Sequence, residues 1–257
     1  MDNYKKKLTE YYNKFSEDKR LLRRHGQVEY ITTMKFIHDY LFKGCSILDI
    51  GAGTGRYSIA LRKEGYDVTA VELTRPNIAV MKANDPGIEV HEADARDLRV
   101  LKDRKYDIVL LFGPLYHLHK KEDKLMAIAE AKKHLKEDGK LFVAYLMNDY
   151  ALIYHAFISG HYTETKGSID TDFRITDSGN DLYSYVRIED ISELNSLSDM
   201  ERIAIFAADG PSDYIRPILN KMDDETFEGY LNYHLSTCQR SDLLGASSHL
   251  VDIIRKK

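Results

Sequence analysis

The stretch that decides the fold is residues 47–61, ILDIGAGTGRYSIAL. Apolar residues surround the acidic Asp49, three glycines follow at every second position, and a helical pattern comes next. A strand, a glycine turn and a helix in this order place bare backbone N–H groups at the mouth of a parallel sheet. The stretch therefore predicts a ligand site, and the remaining question is which ligand it holds.

Composition limits the possible classes of protein. The chain has 257 residues, 43% of them hydrophobic and 30% charged, which is typical of a globular protein with a substantial core. The net charge of −4 predicts no general attraction for nucleic acid. No apolar run is long enough to span a membrane or to form a signal peptide. Because Cys45 and Cys238 form no disulfide or metal pattern, a cytoplasmic protein is expected.

Short apolar runs alternate with helical patterns through the middle of the chain. Five strands are predicted at SILDIG, YDVTAVE, GIEVHEAD, YDIVLLFG and KLFVAYL, in that order. ERIAIFAAD and SHLVDIIRK are predicted as two last strands, with a helical stretch at about 213–238 between them. This alternation predicts an α/β fold with a doubly wound, mostly parallel sheet and right-handed crossovers.

Helices and insertions complete the predicted organisation. Helices are expected at about 30–42 and over EDKLMAIAEAKKHLKEDG, with Leu135 on the apolar face of the second and Gly139 just past its end. Residues 155–186 look like an irregular, aromatic-rich insertion, and the longer stretch 148–198 is too long to be a simple connection. We divide the chain into an N-terminal helical segment (1–43), a cofactor-binding core (44–147) and a part that completes the sheet and the acceptor pocket (148–257), all within one domain.

Spacing and charge discriminate between candidate ligands. Glu72 lies at the end of the second strand, about 20 residues after Gly51, which is where an acid binds ribose hydroxyls. A dinucleotide site has the pattern G-x-G-x-x-G, whereas this chain has G-x-G-x-G. Asp49, two residues before the first glycine, suits a ligand that carries an ammonium group and is unfavourable beside a pyrophosphate. These features favour a ribose-containing ligand with an amino-acid part.

The motifs resemble those of the class I S-adenosylmethionine-dependent methyltransferases. LDIGAGTGRYSIAL is similar to the first motif of that family, and the later motifs are matched, in order, by VTAVELT, HEADARDL, YDIVLLFGPLYHL and EAKKHLKEDGKLFVAY. The resemblance covers about residues 44–146. It implies a seven-stranded sheet that ends in an antiparallel hairpin strand, and S-adenosylmethionine as the cofactor.

The resemblance also implies a set of cofactor contacts. Glu72 is expected to bind both ribose hydroxyls, Asp94 to accept from the adenine amino group, and the amide of Ala95 to face the ring. The other expected contacts in the core are Asp49, Gly51, Ala52, Gly53, Leu73 and Phe112. In related methyltransferases the N-terminal segment often folds over the cofactor, which makes Tyr11, Tyr12 and Arg20 candidate contacts, with the arginine on the methionyl carboxylate.

The acceptor side is predicted at FGPLYHLH, residues 112–119, after the fourth strand. Tyr116 and His117 are the candidate catalytic residues that face the methyl group. The alternative is that Tyr116 only packs on the cofactor and His117 only caps the following helix. His117 and His119 lack a clear third ligand, so no metal site is predicted.

The sequence therefore predicts an S-adenosylmethionine-dependent methyltransferase that acts on a small molecule. Aromatic residues at 148–162 and around FEGYLNYHL are expected to line an enclosed acceptor cavity. Three alternatives stay open: a methyltransferase acting on RNA or protein, a nucleotide-dependent oxidoreductase, and a non-catalytic protein that binds the cofactor. The acceptor and the oligomeric state are not predicted.

Overall fold

The computed structural model describes residues 23–176 and 182–257. The predicted cofactor contacts Tyr11, Tyr12 and Arg20, and most of the predicted N-terminal helical segment, lie outside the described residues. None of the described helices is long and apolar enough to cross a membrane.

A seven-stranded sheet forms the centre of the molecule. Its strands are β1 (Ser46–Ile50), β2 (Asp67–Glu72), β3 (Glu89–Glu92), β4 (Tyr106–Leu111), β5 (Leu135–Leu146), β6 (Met200–Ala207) and β7 (His249–Lys256). The spatial order is β3-β2-β1-β4-β5-β7-β6, and β7 is antiparallel to both of its neighbours. The predicted α/β fold, with its mostly parallel sheet and late antiparallel strand, is confirmed.

Helices cover the sheet and connect its strands. They are α1 (Arg24–His38), α2 (Arg56–Lys63), α3 (Arg75–Asn84), α4 (Lys121–Lys133), α5 (Asn148–Ala151), α6 (Tyr162–Thr165), α7 (Ile188–Leu197), α8 (Arg216–Leu219) and α9 (Asp224–Thr237), with a π-helical segment at Leu152–Ile158 after α5. α2 packs on β2, α4 on β5, and α7 on β6 and α4. α1 packs against α8 and α9.

The central strands contain continuous apolar runs because both faces of the sheet are covered. Val109, Leu110 and Leu111 in β4 are fully buried, and so are Phe142 and Val143 in β5. Parallel strands buried on both faces lose the alternation of polar and apolar residues that marks a half-exposed strand. The continuous apolar runs in the sequence therefore predicted these strands correctly.

Two predicted helix boundaries are wrong. The helix predicted to run to residue 138 ends at Lys133, because Leu135 begins β5 and pairs with Tyr106. Gly139 lies inside that strand, where a Cβ atom would come within 3.0 Å of the Asp107 carbonyl oxygen. The helix predicted at about 30–42 is α1, and it begins earlier because Val28 is buried against α8 and α9.

The predicted irregular insertion at 155–186 ends before α7. Ile191 and Leu194 of that helix are buried in the main core. A capping box between Arg187 and Asp190 starts this helix. The part of 148–198 that can cover a ligand therefore ends before α7.

Candidate active site

The glycine turn after β1 is held against β2 and β4. The backbone amides of Gly51 and Ala52 both donate to the Val71 carbonyl, at 2.8 and 3.1 Å. A Cβ atom on Gly51 would lie 2.5 Å from Pro114, whereas one on Gly53 would meet no atom within 4 Å. Both glycines have positive φ, 77° and 57°. Gly51 is therefore required by packing, and Gly53 leaves open space at the mouth of the sheet.

Glu72 is a buried carboxylate at the end of β2, and four donors fix its orientation. Its Oε2 accepts from the Gly53 amide at 2.9 Å. Its Oε1 accepts from the amide and the hydroxyl of Thr74 at 2.8 and 2.7 Å, and from Asn77 at 3.2 Å. Only 5% of this residue is exposed. The acid predicted to bind ribose is held in one position without a ligand.

Asp49 lies under the glycine turn and is almost completely buried. The Ser58 hydroxyl donates to its Oδ2 at 2.5 Å. Burial raises the pKa of Asp49 to about 6, and the negative charge of Glu72 adds to that rise, whereas the Ser58 bond opposes it. A carboxylate that is expensive to ionise in this position becomes favourable when a cation binds beside it.

Asp94 follows β3 and forms a bidentate ion pair. Arg96 donates from Nε to its Oδ1 at 3.0 Å and from Nη2 to its Oδ2 at 2.8 Å. Burial raises the pKa of Asp94, but the bonds from Arg96 outweigh it and hold the pKa below its usual value. Asp94 is therefore an ionised acceptor of fixed geometry.

A cavity of about 390 Å³ opens at the carboxyl ends of the parallel strands. Every predicted core contact lines it: Asp49, Gly51, Ala52, Gly53, Glu72, Leu73, Asp94, Ala95 and Phe112. The two predicted catalytic residues, Tyr116 and His117, line it as well. The structure thus brings together all the predicted site residues that it describes.

A short segment, residues 182–185, crosses the loop that carries the candidate catalytic residues, and we call it the strap. The Ser184 amide donates to the Tyr116 carbonyl at 2.6 Å, and the buried Lys124 donates to the Ser184 hydroxyl at 2.8 Å. Lys124 also donates to the Leu118 carbonyl. Tyr183 and Tyr185 of this strap line the cavity. Sequence reasoning missed these two residues because nothing near them in the chain indicates where the strap lies.

His117 is buried beneath the strap. Its Nδ1 donates to the Leu182 carbonyl at 2.9 Å, and its ring stacks on Tyr183 at 5.3 Å. Burial lowers the pKa of His117 to about 4, although the bond to Leu182 works in the opposite direction. The residue is a neutral imidazole at neutral pH, and it helps to hold the strap.

The far wall of the cavity comes from α5, the π-helical segment and the region around α8. Tyr150 donates to Asp213 at 2.9 Å, and Arg216 pairs with the same carboxylate at 2.9 Å. His155 lies on the same wall. The prediction that FEGYLNYHL lines the acceptor cavity is wrong: α9 packs on α1 through Phe227, and its Tyr230 bonds to Ser212.

A further cluster, missed in the sequence, joins β6, β7 and α1 at the edge of the cavity. His249 and Glu29 line the cavity, and the buried Asp209 lies behind them. The His249 Nδ1 is 2.7 Å from Asp209 and 3.8 Å from Glu29. These three groups offer ligand atoms within 4.8 Å of one another, close enough for a metal ion. The sequence did offer a signal: Asp209 ends one predicted strand, and His249 lies at the start of the next.

Comparison with known proteins agrees with this geometry. Residues 47–139 match the family model described as a methyltransferase domain. A stretch of 103 residues is 34% identical to the cypemycin N-terminal methyltransferase of a Streptomyces species, covering 39% of this chain and 41% of that protein. The chain spans about two fifths of the length of the curated relatives that it matches.

Solved structures match over more of the chain. The PH0226 protein of Pyrococcus horikoshii aligns over 96% of this chain and 99% of its own, with a TM-score of 0.61 and 17% identity. A 1,6-didemethyltoxoflavin-N1-methyltransferase of Burkholderia thailandensis, solved with 1,6-didemethyltoxoflavin and S-adenosylhomocysteine, aligns over 98% of this chain and 87% of its own. Its TM-score is 0.60 and its identity 15%. At these identities the two structures show a shared fold.

The strand order and the glycine turn are those of the class I S-adenosylmethionine-dependent methyltransferase fold, and residues 47–139 match a methyltransferase domain.

Proposed function

We propose that the chain transfers a methyl group from S-adenosylmethionine to a small-molecule acceptor. The observation that carries this proposal is the cavity of about 390 Å³, whose acceptor wall is built by Tyr150 and Tyr185 from inserted segments. Pockets of roughly 300 to 1,000 Å³ hold metabolite-sized ligands. A wall of inserted segments excludes a folded RNA or protein surface from the end of the cavity.

The residues at the glycine turn fit the cofactor. The space beside Gly53 admits a ligand that a side chain would displace. Asp49 suits the ammonium of the methionyl part, Glu72 the ribose hydroxyls and Asp94 the adenine amino group. The bound cofactor supplies a methyl group activated by a positively charged sulfur. The protein's contribution is alignment and the exclusion of water.

The test begins with binding. Isothermal titration should show that the protein binds S-adenosylmethionine and S-adenosylhomocysteine but not NAD. If the protein binds NAD and neither of these two compounds, S-adenosylmethionine is not its cofactor, and an oxidoreductase is favoured.

The acceptor class is tested by label transfer. The protein is incubated with methyl-labelled cofactor and a cell extract separated into metabolites, RNA and protein, and Glu72→Gln is run in parallel. Label in the metabolite fraction that depends on Glu72 supports the proposal. Label confined to RNA or protein contradicts it, and no transfer despite tight cofactor binding indicates a non-catalytic protein.

A further inference from the structure

The antiparallel orientation of β7 places a histidine at the edge of the sheet where ligands bind. β6 runs parallel to β5, because each is antiparallel to the β7 strand between them. Asp209, just after β6, and His249, the first residue of β7, therefore meet at the carboxyl edge of the parallel strands. Topology, and not closeness in sequence, forms this pair.

The Asp209–His249 pair has the geometry of a carboxylate that orients an imidazole. Asp209 Oδ2 lies 2.7 Å from His249 Nδ1, and its Oδ1 accepts from the Ser247 hydroxyl and the His249 amide at 2.7 and 3.0 Å. A carboxylate only accepts hydrogen bonds, so Nδ1 carries the proton. The opposite ring nitrogen, Nε2, is thereby left in the form that takes up a proton.

His249 lies on the acceptor side of the cavity. The cofactor contacts follow β1, β2 and β3, whereas β7 is three strands beyond β1, roughly 14 Å across the sheet. Tyr116, the predicted neighbour of the methyl group, follows β4 in between, and its ring centroid is 5.7 Å from that of His249. The imidazole therefore borders the space that is left for the acceptor.

We propose that His249, oriented by Asp209, is the general base that removes the proton from an aromatic hydroxyl of the acceptor. This inference rests on the proposed methyl transfer. The aromatic lining by Tyr116, Tyr183 and Tyr185 suits a flat ring, and Glu29, 3.8 Å from Nδ1, stabilises the imidazolium that forms.

The step balances without a further reactant. As the acceptor oxygen bonds to the methyl carbon, the carbon–sulfur bond breaks and its electron pair stays on sulfur, while the hydroxyl proton moves to His249 Nε2. An amine attacks through its own lone pair, whereas a hydroxyl needs a base to become a strong nucleophile. A preoriented imidazole is therefore most useful for a hydroxyl acceptor.

His117 is the competing candidate for the base. Its Nδ1 donates to the backbone carbonyl of Leu182, and burial lowers its pKa to about 4. Such an imidazole is a poor proton acceptor at neutral pH, since the best bases titrate near the working pH.

The test measures proton removal directly, with 4-nitrophenol as the probe, because its phenolate absorbs visible light and its phenol form does not. The wild-type chain is titrated with the probe at a pH well below the probe's own pKa, with and without S-adenosylhomocysteine. Binding is measured by calorimetry and ionisation by absorbance. The variants are His249→Asn, Asp209→Asn, His117→Asn and, as a matched control outside the cavity, His38→Asn at a histidine that pairs with Glu64.

We expect wild type and His38→Asn to bind the probe as phenolate. In His249→Asn the ratio of phenolate to phenol in the bound probe should fall at least about tenfold, with S-adenosylhomocysteine affinity unchanged. Asp209→Asn should lower the same ratio of phenolate to phenol while the probe still binds. A residue with only a structural role would not change the ionisation of a probe that is still bound. Retained circular dichroism shows that each variant folds.

Four results would overturn the inference: no binding of the probe by wild type, binding without ionisation, full ionisation in His249→Asn, or ionisation that requires an added divalent metal. If only His117→Asn loses ionisation of the bound probe, His117 and not His249 is the general base. If the protein does not bind S-adenosylhomocysteine, the proposed function is contradicted. The probe titration without S-adenosylhomocysteine still tests whether His249 acts as the base.

Discussion

The Glu72 carboxylate accepts a hydrogen bond from the backbone amide of Gly53 across 2.9 Å, and thus ties the end of β2 to the glycine turn after β1. The same carboxylate is held by Thr74 and Asn77 on its other oxygen. The side chain proposed to bind ribose therefore also shapes the turn that faces the cofactor.

Glu72→Gln should weaken S-adenosylmethionine binding by about tenfold to a hundredfold, because charge-assisted bonds to ribose contribute about 1.5–3 kcal/mol. Calorimetric titration measures the change. Glu92→Gln is the matched control, since that acid ends the neighbouring strand and pairs with Arg75. Equal affinities of Glu72→Gln and wild type would refute the assignment.

Gly51→Ala and Gly53→Ala should have different effects although they are two residues apart. The first creates a 2.5 Å contact with Pro114 and should cost about 2 kcal/mol or more of unfolding free energy. The second meets no protein atom, so it should cost about 1 kcal/mol of backbone strain and mainly block the cofactor. Urea unfolding and calorimetry separate the two effects. Normal cofactor binding by Gly53→Ala would show that the turn is only structural.

The stability of the ligand-free protein should fall as pH rises through the titration range of Asp49. Its pKa is raised to about 6 in the folded chain, so between about pH 4 and 6 the folded state holds the extra proton. As pH rises through that range, the free energy of unfolding should fall by about 3 kcal/mol in total, because the pKa of Asp49 is raised by about two units. Asp49→Asn should remove this cost, and thus be relatively more stable at pH 8 than at pH 5.

The same substitution should weaken cofactor binding, since the amide cannot neutralise an ammonium. Urea unfolding across the pH range measures the first effect and calorimetry the second. A pH-independent difference between Asp49→Asn and wild type would contradict the raised pKa.

His117 should make the protein less stable at acid pH. Its pKa is lowered to about 4, so the neutral form is favoured in the folded chain and the full contribution is present above about pH 6.5. As pH falls from 6.5 to 4, about 3 kcal/mol should be lost. His117→Asn should show a flatter acid limb in urea unfolding, whatever its stability at neutral pH. His161→Asn, at an exposed histidine paired with Glu164, should keep the wild-type slope.

The sequence predicted which residues of the proposed cofactor half would line one cavity, because local signals encode their positions. Glu72 could be placed from its spacing to Gly51, and Asp94 from the resemblance of HEADARDL to a family motif. Buried parallel strands also have apolar runs that are easy to recognise.

The acceptor half depends on contacts that are distant in sequence. The strap at 182–185 is fixed by Lys124, 60 residues away. Asp209 and His249 are separated by 40 residues and meet only through the antiparallel β7. Leu135 was placed in the wrong element because its pairing with β4 overrides the helical pattern that precedes it.

The position of β7 between β5 and β6 has a consequence for how the protein is synthesised. β6 pairs with β7, which is made about 40 residues later, so a nascent chain that has just completed β6 still lacks this pairing partner. The strands that carry the glycine turn can pair much earlier, because their contacts are closer in sequence. On the ribosome, the nucleoside-binding half can therefore mature before the methyl-accepting half, whose histidine is delivered by the last strand of the sheet.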